Sequence, residues 1–165
     1  MAIVRDKFHM QRFKCVAVGG TFDHLHEGHK ALLRKACQVG ERVIVGVATE
    51  KLLTKKLKKE LIYPYERRAD DIKKFLTSEA CIQRAEIIPI SSQFGITADD
   101  PRIEALVVSE ETAPVVKSIN QERSKKGLKP LRPVIVKMVL GRNGKPIKST
   151  ALREIEATKQ KRSNH

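Results

Sequence analysis

Eleven residues just behind the first apolar run of the chain hold most of its candidate chemistry: Gly19-Gly20-Thr21-Phe22-Asp23-His24-Leu25-His26-Glu27-Gly28-His29. The glycines let backbone come close to a ligand and reach positive φ. Thr21 offers a hydroxyl at the end of the run. His26 and His29 stand three apart around Gly28, where a helix is expected to start, and the amides and dipole of a helix start favour anions. Two imidazoles, free backbone amides and no carboxylate nucleophile describe a phosphate-handling site. Asp23 is read as a residue that fixes the loop through backbone hydrogen bonds rather than as a base. Two other readings stay open at this level. His24, His26 and His29 could ligate zinc, although no cysteine stands nearby to complete the set. The glycines could also form nothing more than a tight turn. A dinucleotide fingerprint is a poor fit, because GxGxxG is absent.

The flanking pattern says what must position these residues. Residues 13–18 (FKCVAV) are rich in strand formers. Residues 28–39 place Ala31, Leu32, Ala36 and Val39 at helical spacing, and Gly40 is expected to stop that helix. Residues 42–48 (RVIVGVA) read as a strand buried on both faces. A second helix is predicted over 66–76, with Ala69, Ile72, Phe75 and Leu76 on one face. Strands are predicted at 86–90, 105–109 and 131–140. Between the last two, Thr112 is expected to cap a helix that has Pro114 in its first turn and runs to about 126. A final helix is predicted at 150–159. Strands alternating with helices, the strands continuously apolar, predict an α/β fold: a Rossmann-like five-stranded parallel sheet with helices on both faces. Its crossovers should be right-handed and its ligand should lie beyond the carboxyl ends of the strands.

The 165 residues fit one domain, with a core over about 13–158 and a basic tail at 159–165. With 41% hydrophobic and 32% charged residues, composition excludes a disordered chain, and no apolar run approaches the length of a membrane span. The first ten residues show no apolar signal region. Cys15, Cys37 and Cys81 are odd in number and widely spaced, so they are expected to be buried small hydrophobes in a reducing cytoplasm, without a disulfide framework or zinc knuckle. Lys plus Arg number 33 against 19 acidic residues, a formal charge of +14. Such a field attracts polyanions: nucleic acid, an anionic membrane, or a multiply phosphorylated small molecule. Two tyrosines, five phenylalanines and no tryptophan supply little for base stacking, so nucleic acid is not the expected partner. A merely solvated, lysine-rich surface is the plain alternative.

GTFDHLHEGH resembles the GxFDxxHxGH signature of the nucleotidyltransferase superfamily. Near the other end Ile147-Lys148-Ser149-Thr150-Ala151-Leu152-Arg153 resembles the superfamily's ISSTxxR segment, with Lys148 where a serine is usual. Between them stand Tyr63-Pro64-Tyr65-Glu66-Arg67-Arg68, Phe94-Gly95-Ile96-Thr97, Asp100-Pro101, Ser109-Glu110-Glu111-Thr112, and Asn120 with Arg123 and Gly127-Leu128. Together they look like the archaeal and eukaryotic type of phosphopantetheine adenylyltransferase, over about residues 13–155. No GxxxxGK[ST] loop is present, so the kinase half of the fused eukaryotic CoA synthase is not expected.

The resemblance implies that ATP and 4′-phosphopantetheine give dephospho-CoA and pyrophosphate, with Mg²⁺ held mainly by phosphate oxygens and water. It implies catalytic roles for His29 at the α-phosphate, Thr21 at the attacking phosphate and the α-phosphate, and His26 at the β- and γ-phosphates. ATP would further meet Gly20, Phe22, Ser109, Glu110, Thr112, Arg123, Ser149 and Thr150. Phosphopantetheine would meet Thr21, Phe94 and either Lys55 or Lys56. Plainer roles stand beside these. Ser149 and Thr150 could be helix caps, Arg123 a solvated cation, Asp99-Asp100-Pro101 a turn, and Glu110 and Glu111 favourable charges at a helix start. Rival acceptors are FMN, nicotinamide mononucleotide or a polyol phosphate; a nucleic-acid-binding module is the rival of another class. A monomer suffices for this chemistry, and the oligomeric state stays open.

Overall fold

The computed structural model describes residues 12–54 and 59–145. Lys55, Lys56, Ser149 and Thr150, the helix expected at 150–159 and the basic tail lie outside the described residues.

Five strands make the sheet: β1 (Phe13–Gly20), β2 (Gly40–Ala48), β3 (Ala85–Ile90), β4 (Ala105–Ser109) and β5 (Arg132–Val136). They lie in the order β3-β2-β1-β4-β5, every neighbouring pair parallel. The chain starts in the middle and winds first to one edge, then to the other. The order therefore reverses beside β1, which is where an open parallel sheet forms its ligand crevice. Three helices cross between strands: α1 (Glu27–Val39), α2 (Tyr65–Ser78) and α3 (Val115–Lys125).

Alternation of side chains along β1 and β2 assigns the two faces. Val16, Val18, Val43, Val45 and Val47 pack with Leu33 and Ala36 of α1 and Ile72 and Leu76 of α2. Cys15, Ala17 and Ile44 pack on the opposite side with Val116 and Ile119 of α3. Helices thus cover both faces, as the sequence predicts. Burying each such side chain contributes roughly 1.5–3 kcal/mol, set against the entropy of ordering the chain.

Several local expectations change. The buried stripe of α1 runs through Leu33, Ala36, Cys37 and Val39, while Ala31 and Leu32 are only half-buried. Gly40 does end α1, but with extended backbone (φ −107°), not a left-handed turn. Its need for glycine is packing: a Cβ there would stand 2.5 Å from Val16 Cγ2 and 2.9 Å from the Arg42 carbonyl oxygen. α3 starts at Val115 with Pro114 at the cap position, and Thr112 turns back to Ser109 instead of capping the helix. β5 is shorter than 131–140, because its partner β4 is only five residues and the pairing ends at Ser109 with Val136. Cys37 and Cys81 are not separate thiols. Their Cα atoms lie 6.1 Å apart and their sulfurs form a disulfide inside the core, joining α1 to the turn after α2. Only Cys15 remains a free, buried cysteine, so cysteine usage gives no argument for a reducing compartment. Among the described residues, no helix is long and apolar enough to cross a membrane.

Candidate active site

β1 leaves the sheet at Gly20, and residues 21–26 carry the chain to the start of α1. Two non-glycine residues of this loop hold left-handed backbone, Phe22 at φ 53° and His24 at φ 48°. Such conformations cost on the order of 1–3 kcal/mol each and need support from their surroundings. Asp23, fully buried, supplies it: Oδ1 accepts the Tyr63 N–H at 2.9 Å and Oδ2 pairs with His24 Nδ1 at 2.9 Å. The His24 ring stacks on Tyr63 at 4.1 Å, and the Arg67 guanidinium covers the Tyr63 ring. Asp23 is thus a loop-fixing residue, as read from the sequence.

His26 is the N-cap of α1. Its Nδ1 accepts from the Gly28 and His29 amides at 3.1 and 3.4 Å, and the His26 N–H donates to His29 Nδ1 at 3.4 Å. This is the reciprocal capping box usually made by Ser/Thr and Glu, here built from two histidines. The rings stack at 3.7 Å and 17°. Gly28 makes the arrangement possible, since a Cβ there would stand 2.9 Å from His26 Cε1. Both Nδ1 atoms accept backbone protons, which makes Nε2 the proton-bearing nitrogen of each ring in its neutral form. Burial also pushes the His26 pKa below its ordinary value. The free amides expected at the helix start are therefore occupied at Gly28 and His29. What the helix offers instead is a pair of parallel imidazole donors, each polarised by a backbone N–H behind it.

Zinc does not suit this geometry. His24 turns to Asp23, His26 and His29 turn their Nδ1 atoms to the backbone, and no group of three or more metal-ligating side chains occurs among the described residues.

Beside this helix start lies a cavity of about 400 Å³, within the usual range for a ligand site. It opens on the α3 face of the sheet, where the two central strands end in small residues: Ala17 and Gly19 of β1 and Gly46 and Ala48 of β2 line it. A Cβ at Gly46 would already stand 3.1 Å from Ile90 Cγ2. Gly20 and Thr21 line its rim, as do Phe94, Glu111 and Thr112, with Leu52, Leu53, Ile88, Ile90 and Ile96 forming apolar wall. His26 and His29 are outside that lining and form the neighbouring patch.

The structure brings together Gly20, Thr21, Phe94 and Thr112 around the cavity and His26 with His29 beside it. It does not bring all the expected residues there. Phe22 is a core residue, 1% exposed, that does not line the cavity; its ring meets the edge of His29 at 5.5 Å and packs beside Gly20, where a Cβ would stand 3.5 Å from Phe22 Cε2. Arg123 is also buried and donates to the carbonyls of Lys129, Thr97, Asp100 and Ile103. It fastens α3 to the loops before β4 and β5, spends its donors on backbone carbonyls and does not line the cavity. Ser109 exchanges hydrogen bonds with Thr112, and neither it nor the exposed Glu110 lines the cavity. Asp100 accepts from the Arg102 backbone and guanidinium, which is turn chemistry.

Sequence reasoning missed the apolar wall and Arg68, while Glu111, within the Ser109–Thr112 segment expected at the nucleotide edge, does line the cavity. Arg68 is fully buried and donates to the carbonyls of Tyr63, Thr21 and Ala48, each at 2.8 Å. Its place in the Tyr63–Arg68 segment was visible, but nothing in one sequence separates a buried arginine from a solvated one.

The Cytidylyltransferase-like family profile matches residues 17–155. A phosphopantetheine adenylyltransferase of Methanopyrus kandleri is 40% identical over 144 residues, 87% of this chain and 91% of that one. A phosphopantetheine adenylyltransferase of Pyrococcus horikoshii is 42% identical over 144 residues, 87% of this chain and 90% of the relative. Among solved structures, a protein of unknown function from Archaeoglobus fulgidus superposes with a TM-score of 0.66 at 34% identity, covering 77% of this chain and 89% of the other. By these relatives and that profile, the chain belongs to the phosphopantetheine adenylyltransferase family.

Proposed function

We infer that the chain transfers the adenylyl group of ATP to 4′-phosphopantetheine, forming dephospho-CoA and pyrophosphate. An oxygen of the pantetheine phosphate forms a bond to the α-phosphorus as the bond from that phosphorus to the β-phosphate oxygen breaks. A phosphate is already a nucleophile, so the protein's work is to position two anions and to stabilise charge as pyrophosphate leaves. The observation that carries this reading is the double-histidine cap of α1 beside a cavity at the switch point of the sheet, in a chain of this family.

In this proposal His29 donates from Nε2 to the α-phosphate region and His26 to the β- and γ-phosphates. Donors fixed before the substrate arrives need no reorganisation as charge develops, which makes such groups effective. Thr21, on the cavity rim next to the helix start, orients the attacking phosphate. Thr112 and Glu111 lie on the β4 side, where the nucleotide would enter; Phe94 and the apolar wall suit the uncharged arm of phosphopantetheine. Lys55 or Lys56, and Ser149 with Thr150, retain the phosphate roles implied by the motifs. Mg²⁺ arrives with ATP as part of the substrate. The partners are small anions, not nucleic acid, the setting is the cytoplasm, and no second copy is required.

Pyrophosphate release from Mg·ATP with 4′-phosphopantetheine, beside FMN and nicotinamide mononucleotide, tests the reaction. Release with phosphopantetheine alone is expected. Release with another acceptor only would keep the ATP site and overturn the acceptor.

A further inference from the structure

Arg68 is a buried cation whose hydrogen bonds reach residues that line the cavity. NH1 donates to two carbonyls, Thr21 just past β1 and Ala48 at the end of β2, and both residues line the cavity. Nε donates to the Tyr63 carbonyl, while the Tyr63 N–H donates to Asp23. The loop 21–23, the ends of two neighbouring strands and the entry to α2 are therefore closed into one network through a single guanidinium. At a strand's carboxyl end the last carbonyls lack ladder partners. Turned toward the cavity they would present negative dipoles to incoming phosphates; Arg68 holds both from behind.

Its charge is weakly balanced. NH2 has no hydrogen-bond partner among the described residues, and Glu50 Oε1 stands 3.8 Å away on a side chain that is 70% exposed. Glu50 is engaged by the Tyr65 N–H, and Asp23 by Tyr63 and His24. A fully buried guanidinium whose ion-pair partner is itself exposed carries a desolvation cost that the pair does not cancel, and a bound anion nearby would partly offset it.

We propose that Arg68 is a positioning residue of the transfer reaction: it fixes Thr21 against the cavity and leaves positive charge beneath the anionic substrates. The inference rests on the adenylyl-transfer reading.

Arg68→Lys keeps the charge and loses the fork; Arg68→Met loses both; Glu50→Gln removes the exposed partner. The readouts are melting temperature, kcat and KM with phosphopantetheine, and the dissociation constant of Mg²⁺·α,β-methylene-ATP by calorimetry. In folded Arg68→Lys, kcat should fall about 10²-fold, the cost of a small misplacement at a reacting centre, with little change in analogue affinity. Arg68→Met should weaken the analogue as well. Glu50→Gln, on the surface, should tighten the analogue roughly two- to five-fold at low salt, the weight of one exposed charge pair, and the gain should vanish at high salt. Wild-type kcat in folded Arg68→Lys or Arg68→Met overturns the positioning role. Unchanged or weaker analogue binding in Glu50→Gln overturns the charge, whether or not the Arg68 variants fold, and two Arg68 variants that both fail to fold leave it a structural residue only. A wild-type protein inactive on phosphopantetheine would instead fault the reaction, while analogue binding would still report on the charge.

Discussion

The two nitrogens of His26 have separate duties, and the two can be removed one at a time. Nδ1 caps α1 by accepting from the Gly28 and His29 amides, while the proton on Nε2 is the donor proposed for the polyphosphate. Asn in place of His26 puts an acceptor near Nδ1 and nothing near Nε2; asparagine is also a favoured N-cap. Gln places a donor near Nε2 and is a poor cap. For His26→Asn, loss of one preorganised donor should lower kcat 10²- to 10³-fold, about 2.7–4 kcal/mol of barrier, with the melting temperature almost unchanged. For His26→Gln, the lost cap should cost about 1 kcal/mol of stability, a fall of about 2–4 °C in Tm for a chain of this size. Its kcat should stay within about ten-fold of wild type, well short of the loss in the asparagine variant. The assays are pyrophosphate release at saturating substrates and thermal melting of the same preparations. His26→Asn with wild-type turnover would refute the donor role. His26→Gln as inactive as His26→Asn, at undiminished Tm, would refute the division of labour between the nitrogens.

Three further outcomes follow from the same coordinates. Burial lowers the His26 pKa below 6.5, so between that lowered value and 6.5 the unfolded chain binds more protons than the folded one; stability should hold above pH 6.5 and fall as pH drops through the folded pKa, a slope that urea titrations should find reduced in His26→Asn. Arg123→Met leaves four carbonyls without their donor and should destabilise by about 3–5 kcal/mol, while KM for ATP in the folded fraction stays at the wild-type value; a raised KM would return Arg123 to the phosphate site. The Cys37–Cys81 bond closes a 44-residue separation, worth about 4 kcal/mol by loop entropy, so Cys37→Ala/Cys81→Ala should melt on the order of 10 °C lower, and a melting temperature equal to that of the oxidised wild type would show the bond adds nothing.

The sheet was legible because its strands are continuous apolar runs, such as residues 42–48, which only a two-sided parallel sheet buries. The helix start was legible from the Gly-His pattern, but not its inner geometry. That a histidine pair would cap its own helix depends on side-chain rotamers, which one sequence does not encode locally. Arg68 and Arg123 were hidden for a common reason: an arginine is read as solvated by default, and both are buried by backbone carbonyls that arrive from distant segments. The cavity is made by what is missing, since Ala17, Gly19, Gly46 and Ala48 look like ordinary small residues until two strands are in register. The disulfide joins residues that sequence distance alone cannot pair.

One measurement goes furthest toward the central claim, that phosphopantetheine accepts the adenylyl group at the double-histidine cap. Wild-type protein and His26→Asn are each given Mg²⁺, 4′-phosphopantetheine and ATP labelled at the α-phosphorus. In the wild type the label should appear in dephospho-CoA, with one pyrophosphate per labelled product. In His26→Asn, folded to the same degree, the rate of labelling should fall at least 10²-fold. Label released as AMP instead, or passed to phosphopantetheine at equal rates by both proteins, would contradict the account.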